Sequence, residues 1–374
     1  ELRTNYQRNR PTKPAPSPDT VFHTEAASFR LETVARDLAT PWSIDWLPDG
    51  RMLVTEKPGR LRIGAPGDGL EPAPIKGIPA VYDHGQGGLL DVAVHPDYAT
   101  NGWIYLAYSD LIRQHGDDTS LTKIIRGRLK DHTFVDQETI WQGAPEAYVT
   151  GGVHWGCRLA FDGNGYLFFS HGERGRGPQA QDLTLPNGKV HRVHDDGRIP
   201  DDNPFVDVPG AVASIWTYGN RNPQGLAFDR STGLLWETEH GSRGGDELNI
   251  IERGSNYGWP LITYGMNYNG TPITETTQRP DMHDVVVHWT PSIAVCGIDF
   301  YTGDRFPAWK GNLLVTALAQ QQLRRVVIAD GRVTHQELLF TDLGRVRDVS
   351  NGPDGLVYVA LNSPDEIVRL IPAP

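Results

Sequence analysis

The chain of 374 residues carries 46 acidic against 35 basic side chains, a formal net charge of −11, and no block of basic residues. This balance argues against a nucleic-acid partner, and no apolar run approaches the roughly 18 residues of a membrane span. Glycine (41) and proline (28) are abundant, while long segments with helical periodicity are absent. Such a composition is typical of short strands joined by turns, in one large all-β domain or two of ordinary size.

The two cysteines, Cys157 and Cys296, form neither a CxxC nor a CxxCH motif. Their spacing therefore argues against a zinc ribbon, a thioredoxin-like site and a covalently attached haem. A disulfide between them stays open, because pairing depends on a distance that the sequence does not give.

Residues 1–25 are polar and rich in proline (RPTKPAPSPD), which predicts an N-terminal tail ahead of a folded domain at residues 26–374. Within that domain a unit recurs, made of a short strand, a turn of Gly, Asp or Pro, and a strongly apolar second strand. Six copies can be read, at Pro41–Ile63, Gly88–Asp110, Gly151–Arg176, Asn222–Ser242, Ser292–Gln320 and Arg345–Leu370.

Repeats of this kind, each followed by further strand-like sequence, predict an all-β fold: a six-bladed β-propeller with four-stranded antiparallel blades around a central channel. The uneven spacing implies long loops at Gly175–Asn187 and Tyr257–Val287. Long loops in a compact domain are usually functional or disordered. Two separate β-sandwiches are the alternative, but they would not account for one repeat that runs from Pro41 to Leu370.

The third copy contains the clearest candidate for chemistry. Its two strands flank Asp162-Gly163-Asn164-Gly165, and Asn-Gly between apolar runs is a strong signal for a tight hairpin. His154 precedes the midpoint of this turn by as many residues as Glu173 follows it, so the hairpin brings both to one end. A histidine beside a carboxylate can act as a general base with an orienting partner. The alternative is a surface ion pair without a function.

Equivalent positions of the other copies should face the same channel mouth. The fourth copy places Arg221 and His240 there, with Asn222, Glu239 and Gly241 adjacent; the sixth adds Arg345 and Arg347, and the second leads in through a segment that contains Gln86. Arginines gathered on an acidic protein indicate an anionic ligand with carboxylates or phosphates, because guanidinium pairs with these groups bidentately. Each arginine taken alone could equally be a surface or blade-bridging residue.

Six motifs of the repeat region resemble one family, the soluble dehydrogenases of aldose sugars and glucose that depend on pyrroloquinoline quinone (PQQ). The resemblance extends from about Leu38 to Pro372. The motifs are GQGGLLDVAVHPDY, HWGCRLAFDGNGYLFFSHGERG, GKVHRVHDDGRIPDDNPF, YGNRNPQGLAFD, DELNIIERGSNYGWP and GRVRDVSNGPDG. The family fold is a six-bladed propeller with PQQ at the top of the channel, which agrees with the repeat count.

The resemblance implies a role for each candidate. His154 would be the general base that takes the proton of the sugar C1 hydroxyl while hydride passes to C5 of PQQ, and Glu173 would orient it. Arg221 and Asn222 match the residues beside the quinone oxygens. Gln86 matches a glutamine near sugar and cofactor, and Arg345 with Arg347 matches the residues that hold PQQ carboxylates.

The family also binds a calcium ion that polarises the quinone, and its matching ligands here are the main-chain carbonyls of Gly241 and Ser242. One position departs from the family: where the glucose dehydrogenases carry a PQQ-binding lysine, this chain has Ala319, with Gln320 and Arg324 as candidate replacements. The implied partners are an aldose substrate and a diffusible electron acceptor. The implied location is the periplasm or outside the cell, after removal of a signal peptide.

Two other functions stay open at this point. A calcium-dependent propeller hydrolase of the lactonase type would need several carboxylate or amide side chains in the channel, where the equivalent positions are mostly Arg and His. A propeller that only binds sugars or proteins is consistent with Ala319. A nicotinamide enzyme is disfavoured because no GxGxxG follows a strand and opens a helix. The preferred sugar should depend on the loops Gly175–Asn187 and Tyr257–Val287 and on Val295-Cys296.

Overall fold

The chain forms six antiparallel sheets in the computed structural model, which describes residues 16–65 and 67–374. Two strands come first, β1 (Phe22–His23) and β2 (Ser28–Ala35). Blade one contains β3 (Pro41–Trp46), β4 (Met52–Glu56), β5 (Arg60–Ala65) and β6 (Gly69–Leu70). Blade two contains β7 (Leu89–Val94), β8 (Ile104–Gln114), β9 (Asp117–Lys130) and β10 (Thr133–Gln142).

The remaining blades follow in chain order. Blade three contains β11 (Leu159–Phe161), β12 (Tyr166–His171), β13 (Lys189–His194) and β14 (Ile215–Tyr218). Blade four contains β15 (Pro223–Asp229), β16 (Leu234–Glu239), β17 (Asp246–Ile251) and β18 (Val287–Trp289). Blade five contains β19 (Val295–Phe300), β20 (Leu313–Ala317), β21 (Gln322–Ala329) and β22 (Arg332–Thr341). Blade six begins with β23 (Arg345–Asn351), β24 (Val357–Asn362) and β25 (Glu366–Pro372).

The two chain ends meet in blade six, where β2 pairs with β25 and supplies the fourth strand. The short β1 adds to the outer edge of that sheet through Phe22 and Phe29. The predicted six-bladed propeller is confirmed. Because β1 belongs to blade six, that sheet starts at Phe22, ahead of the predicted domain boundary at residue 26. Residues 1–15 of the predicted tail lie outside the described residues. The helices are short: α1 (Tyr98–Asn101) and the 3₁₀ turns Pro145–Ala147, Gly177–Gln181 and Pro307–Trp309.

The predicted hairpin of blade three shows how local sequence builds a blade. Gly163 and Gly165 have φ angles of 80° and 90°, a region that glycine adopts without strain. The Asp162 carboxylate accepts hydrogen bonds from the main-chain N–H groups of Asn164 (2.7 Å) and Tyr166 (3.1 Å) and so closes the turn. β11 and β12 then pair, with Leu159 opposite Phe169.

Hydrogen bonds between innermost strands hold neighbouring blades in place. Four aspartates of these strands each accept a main-chain N–H from the next blade around the ring. The pairs are Asp45 with Val94 (2.6 Å), Asp91 with Leu159 (2.7 Å), Asp299 with Asn351 (3.1 Å) and Asp348 with Ile44 (2.9 Å). A carboxylate that accepts main-chain N–H groups satisfies donors that would otherwise be buried unpaired.

Arg158 crosses the channel from blade three. Its guanidinium forms ion pairs with Asp91 of blade two (3.1 Å) and Asp348 of blade six (3.0 Å) and donates to the Gln224 carbonyl of blade four (2.9 Å). The same group lies over the ring of Trp42 in blade one, 4.2 Å from its centroid. The side chains of the ion-paired residues are only 5–7% exposed. Removal of either carboxylate leaves buried donors of the channel without their acceptor.

We therefore expect Asp348→Ala to lower the free energy of unfolding by about 2–6 kcal/mol, because the Arg158 guanidinium and the buried Ile44 N–H each lose an acceptor, at about 1–3 kcal/mol apiece. Urea unfolding at about pH 8 measures the effect. The matched control is Asp281→Ala, whose carboxylate pairs with Arg279 at the surface and should change stability by less than about 1 kcal/mol. Equal losses in the two variants would contradict the buried-pair argument.

Candidate active site

The hairpin of blade three brings His154 and Glu173 into contact. Their side chains are hydrogen-bonded, with His154 Nδ1 2.6 Å from Glu173 Oε1. Burial alone would raise the pKa of the Glu173 carboxyl, but the hydrogen bond to His154 and the charges of His154 and Arg221 outweigh it, and the pKa lies below its ordinary value. An ionised carboxylate at Nδ1 fixes the proton on that nitrogen and leaves Nε2 as the acceptor nitrogen of the ring.

The main chain at His154 is held in an uncommon conformation. Its φ is 51°, in the left-handed region that costs a residue with a side chain of order 1 kcal/mol. Its N–H donates to the Gln86 side-chain oxygen (2.8 Å), and its carbonyl approaches Gly172 so closely that a Cβ there would lie 2.1 Å from it. Gln86 therefore helps to position the main chain of His154.

Arg221 and Asn222 lie at the start of β15, beside the His154–Glu173 pair. The Glu173 N–H donates to the Arg221 carbonyl (2.9 Å), and the Arg221 guanidinium donates to the His240 carbonyl (3.0 Å). The Asn222 side-chain oxygen accepts the N–H of Gly156 (3.0 Å), which ties blades three and four together. Burial lowers the pKa of His240 well below its ordinary value, and nearby arginines act in the same direction, so this ring is neutral at pH 7.

Arg345 and Arg347 enter the site from β23. Arg347 donates to the Gln224 side-chain oxygen (3.2 Å) and lies 3.5 Å from the Cys296 thiol. Burial, together with the charge of Arg347, lowers the pKa of Arg345 to about 10. Among the described residues, no carboxylate oxygen lies within 4.0 Å of either guanidinium, the distance of an ion pair. Two neighbouring cations without a counterion favour an anionic ligand.

These groups surround one cavity of about 140 Å³ at the channel mouth. Its polar walls come from blades one, two, four and six, through Lys57, Gln86, Asn222, Gln224, His240, Arg345 and Arg347. His154 and Arg221 adjoin it through their bonds to Gln86 and His240. The structure thus brings together all the predicted catalytic and cofactor-binding residues. A larger cavity of about 840 Å³ lies elsewhere, along β2 and blade six, and contains none of them.

Buried polar atoms without partners mark the same place. Glu173 Oε2, Arg221 Nε, His240 Nε2 and Trp155 Nε1 have no hydrogen-bond partner among the described residues. Buried polar atoms are normally paired, so these four atoms could bind a polar ligand in the cavity. An acceptor-rich, multiply carboxylated cofactor such as PQQ fits donors and cations of this kind.

The predicted calcium ligands lie on a constrained turn after β16. The Gly241 N–H donates to the Asp246 carboxylate (2.8 Å), and a Cβ at Gly241 would lie 2.3 Å from the Gly244 carbonyl, so the turn requires glycine. Ser242 is buried. Within the described ranges, no group of three or more His, Cys, Asp or Glu side chains is placed to hold a metal. A calcium ion here would therefore depend on main-chain oxygens and on a bound ligand.

Ala319, the position that departs from the family, packs against Leu318 and Cys296 beside the cavity. Neither candidate replacement lines the cavity: Gln320 donates its N–H to the Ile293 carbonyl, and Arg324 lies on β21, where it donates to Gln322. Both cysteines are buried free thiols, which answers the open question of their pairing.

Three further residues of the site were missed by the sequence analysis: Lys57, Gln224 and Arg158. Gln224 follows Asn222 by two residues, and the two-residue period of a strand puts both side chains on one face. Lys57 directly follows β4 as His240 follows β16, so repeat symmetry could have identified it. The role of Arg158 depends on contacts across the channel, which no local pattern gives.

Known proteins similar to this chain identify its family. The family model described as Glucose / Sorbosone dehydrogenase matches residues 38–369. An aldose sugar dehydrogenase of Escherichia coli is 43% identical over 359 residues, which cover 92% of this chain and 94% of that protein. Quinoprotein glucose dehydrogenase B of Acinetobacter calcoaceticus is 25% identical over 428 residues, covering 92% of this chain and 87% of the relative.

Solved structures extend the agreement to the fold. The crystal structure of the soluble aldose sugar dehydrogenase from Escherichia coli in the apo-form has a TM-score of 0.87 at 41% identity, covering 92% of this chain and 100% of that one. The PQQ-bound aldose sugar dehydrogenase from Streptomyces coelicolor has a TM-score of 0.75 at 26% identity, covering 93% and 99%. No helix in the described part of the chain has the length and apolar character that crossing a membrane requires. By the extent of these matches, the chain belongs to the glucose/sorbosone dehydrogenase family.

Proposed function

We propose that this protein oxidises the C1 hydroxyl of aldose sugars to lactones, with PQQ as cofactor, and that a diffusible acceptor takes the electrons. The main support for the proposal is that His154, oriented by Glu173, lies close to Arg345 and Arg347, two cations without a counterion among the described residues. The His154–Glu173 pair and the Arg345–Arg347 pair adjoin one cavity at the channel mouth. The PQQ-bound state of the Streptomyces coelicolor relative supports the choice of cofactor.

His154 moves the proton in this proposal. Glu173 holds the proton of the ring on Nδ1, so Nε2 accepts the proton of the C1 hydroxyl. Ionised Glu173 then stabilises the imidazolium that forms. The hydrogen bond that the His154 N–H donates to the Gln86 side-chain oxygen keeps the base in place.

The cations bind and stabilise negative charge. Bound PQQ would supply the hydride acceptor, with calcium at the Gly241 and Ser242 carbonyls polarising its quinone. Arg345 and Arg347 would hold carboxylates of the cofactor, and Arg221, with its unpaired Nε, would stabilise negative charge on the quinone oxygens. The Asn222 side chain and the neutral His240 ring complete the polar wall.

The walls of the cavity disfavour the lactonase alternative, since they carry cations and amides where an activated water would need carboxylates around a metal. The proposal also includes the periplasmic or secreted location implied by the family resemblance.

The apo-protein mixed with PQQ and calcium should reduce an artificial dye on addition of glucose or another aldose. Absence of turnover with every aldose tried would contradict the proposed function.

His154→Ala should lower kcat by about 10²–10⁴-fold while the affinity for PQQ changes little, because only the proton acceptor is lost. Steady-state dye reduction and PQQ titration measure the two effects. His115→Ala is a matched control, since His115 has nearly the same backbone conformation (φ 52°) in an exposed turn. Near-normal turnover of the His154 variant would show that another group is the base.

Arg345→Ala should weaken PQQ binding by about tenfold or more, because a charge-assisted pair with a carboxylate is lost from a largely buried position. Equilibrium dialysis against PQQ in the presence of calcium gives the dissociation constant. Arg332→Ala, at an exposed position of β22, serves as the control for loss of an arginine. An unchanged dissociation constant for the Arg345 variant would contradict its carboxylate role.

A further inference from the structure

Lys57 lies at the mouth of the same channel, on blade one. It directly follows β4 at the place that His240 occupies after β16 in blade four. Its main chain is fixed on both sides: its N–H donates to the Thr40 carbonyl (3.1 Å), and its carbonyl accepts the N–H of Leu89 (2.8 Å). The Lys57 side chain therefore starts from a rigid position on the cavity wall.

The charges of the cavity wall are all of one sign. Lys57, Arg345 and Arg347 line it, and no Asp or Glu among residues 16–65 and 67–374 does so. The ammonium of Lys57 is paired with the Asp83 carboxylate, which lies outside the lining. The Asp83 side chain is 41% exposed, twice the 20% of Lys57. This partner lies at the solvent rim, where a carboxylate keeps its hydration when an ion pair opens.

We propose that Lys57 binds a carboxylate of PQQ and exchanges Asp83 for the cofactor when PQQ enters. The inference rests on the proposed function. A lysine ammonium is a compact charge on a flexible stem, so it can turn from the rim into the cavity without a change of backbone. Loss of the exposed pair with Asp83 costs little, whereas a pair with PQQ inside the cavity is screened less by water. Blade one thus supplies a cation to a site in which Ala319 supplies none.

Titration of PQQ in the presence of calcium chloride tests the exchange. Equilibrium dialysis measures binding, and so does the total tryptophan fluorescence, to which Trp42 and Trp155 on the cavity wall contribute. Lys57→Met should raise the dissociation constant about tenfold or more, and Lys57→Arg should restore most of the affinity. Asp83→Asn should bind PQQ as tightly as the parent protein or more tightly, because it removes a competing carboxylate. Lys310→Met, at an exposed lysine, should change nothing.

The Asp83 variant separates a cofactor contact from a structural ion pair. If Lys57→Met and Asp83→Asn weaken PQQ binding equally, the pair acts by holding the rim and the inference is wrong. An unchanged dissociation constant in Lys57→Met would also overturn it and leave the proposed function standing. If the parent protein binds no PQQ at all, both fail. Thermal unfolding of each variant verifies that the fold is kept.

Discussion

The guanidinium of Arg158 joins blades one, two, four and six to its own blade three at the middle of the channel. It contacts Asp91 of blade two, Asp348 of blade six, the Gln224 carbonyl of blade four and the Trp42 ring of blade one. A buried cation of this kind is stable only with carboxylates and other acceptors around it. Because the wall of the channel is assembled around it, the positions of the residues above it depend on Arg158.

The same side chain connects the fold to the site. Arg158 also donates to the Arg347 carbonyl (3.1 Å), and Gln224 in turn accepts from the Arg347 guanidinium (3.2 Å). The main chain of two cavity residues is thus fixed by one buried cation. Burial raises the pKa of the Asp348 carboxyl to about 6, although the charge of Arg158 opposes the shift, which reflects how little water reaches this level of the channel.

Charge compensation changes along the channel. At the level of Arg158 one cation meets two carboxylates, whereas Arg345 and Arg347 at the cavity have no carboxylate within ion-pair distance in the described part of the chain. The lower arrangement is what structural stability requires. The upper one is unfavourable for the protein alone, since like charges crowd in a partly desolvated space. An anionic cofactor relieves that repulsion, and this physical reason favours binding over a purely structural role for the arginines.

Much of this arrangement could be predicted from the sequence because it is local or repeated. The turn at Asp162–Gly165 and the symmetric spacing of His154 and Glu173 gave their contact, and repeat equivalence gave Arg221 and Arg345. The same equivalence, applied after β4, would have given Lys57. The contacts of Arg158 could not be predicted, since they depend on which strands meet across the ring. The proposed calcium ligands, the Gly241 and Ser242 carbonyls, came from the family resemblance alone, because carbonyl groups leave no signal in the identity of side chains.

The most direct test of the account is a crystal structure of the protein with PQQ and calcium. We expect PQQ in the cavity at the channel mouth, with its carboxylates within hydrogen-bond distance of Arg345 and Arg347 and its quinone between His154 and Arg221. PQQ bound outside this cavity, or a cofactor orientation that leaves Arg345 and Arg347 without an anionic partner, would contradict the central claim that these cations form the cofactor site.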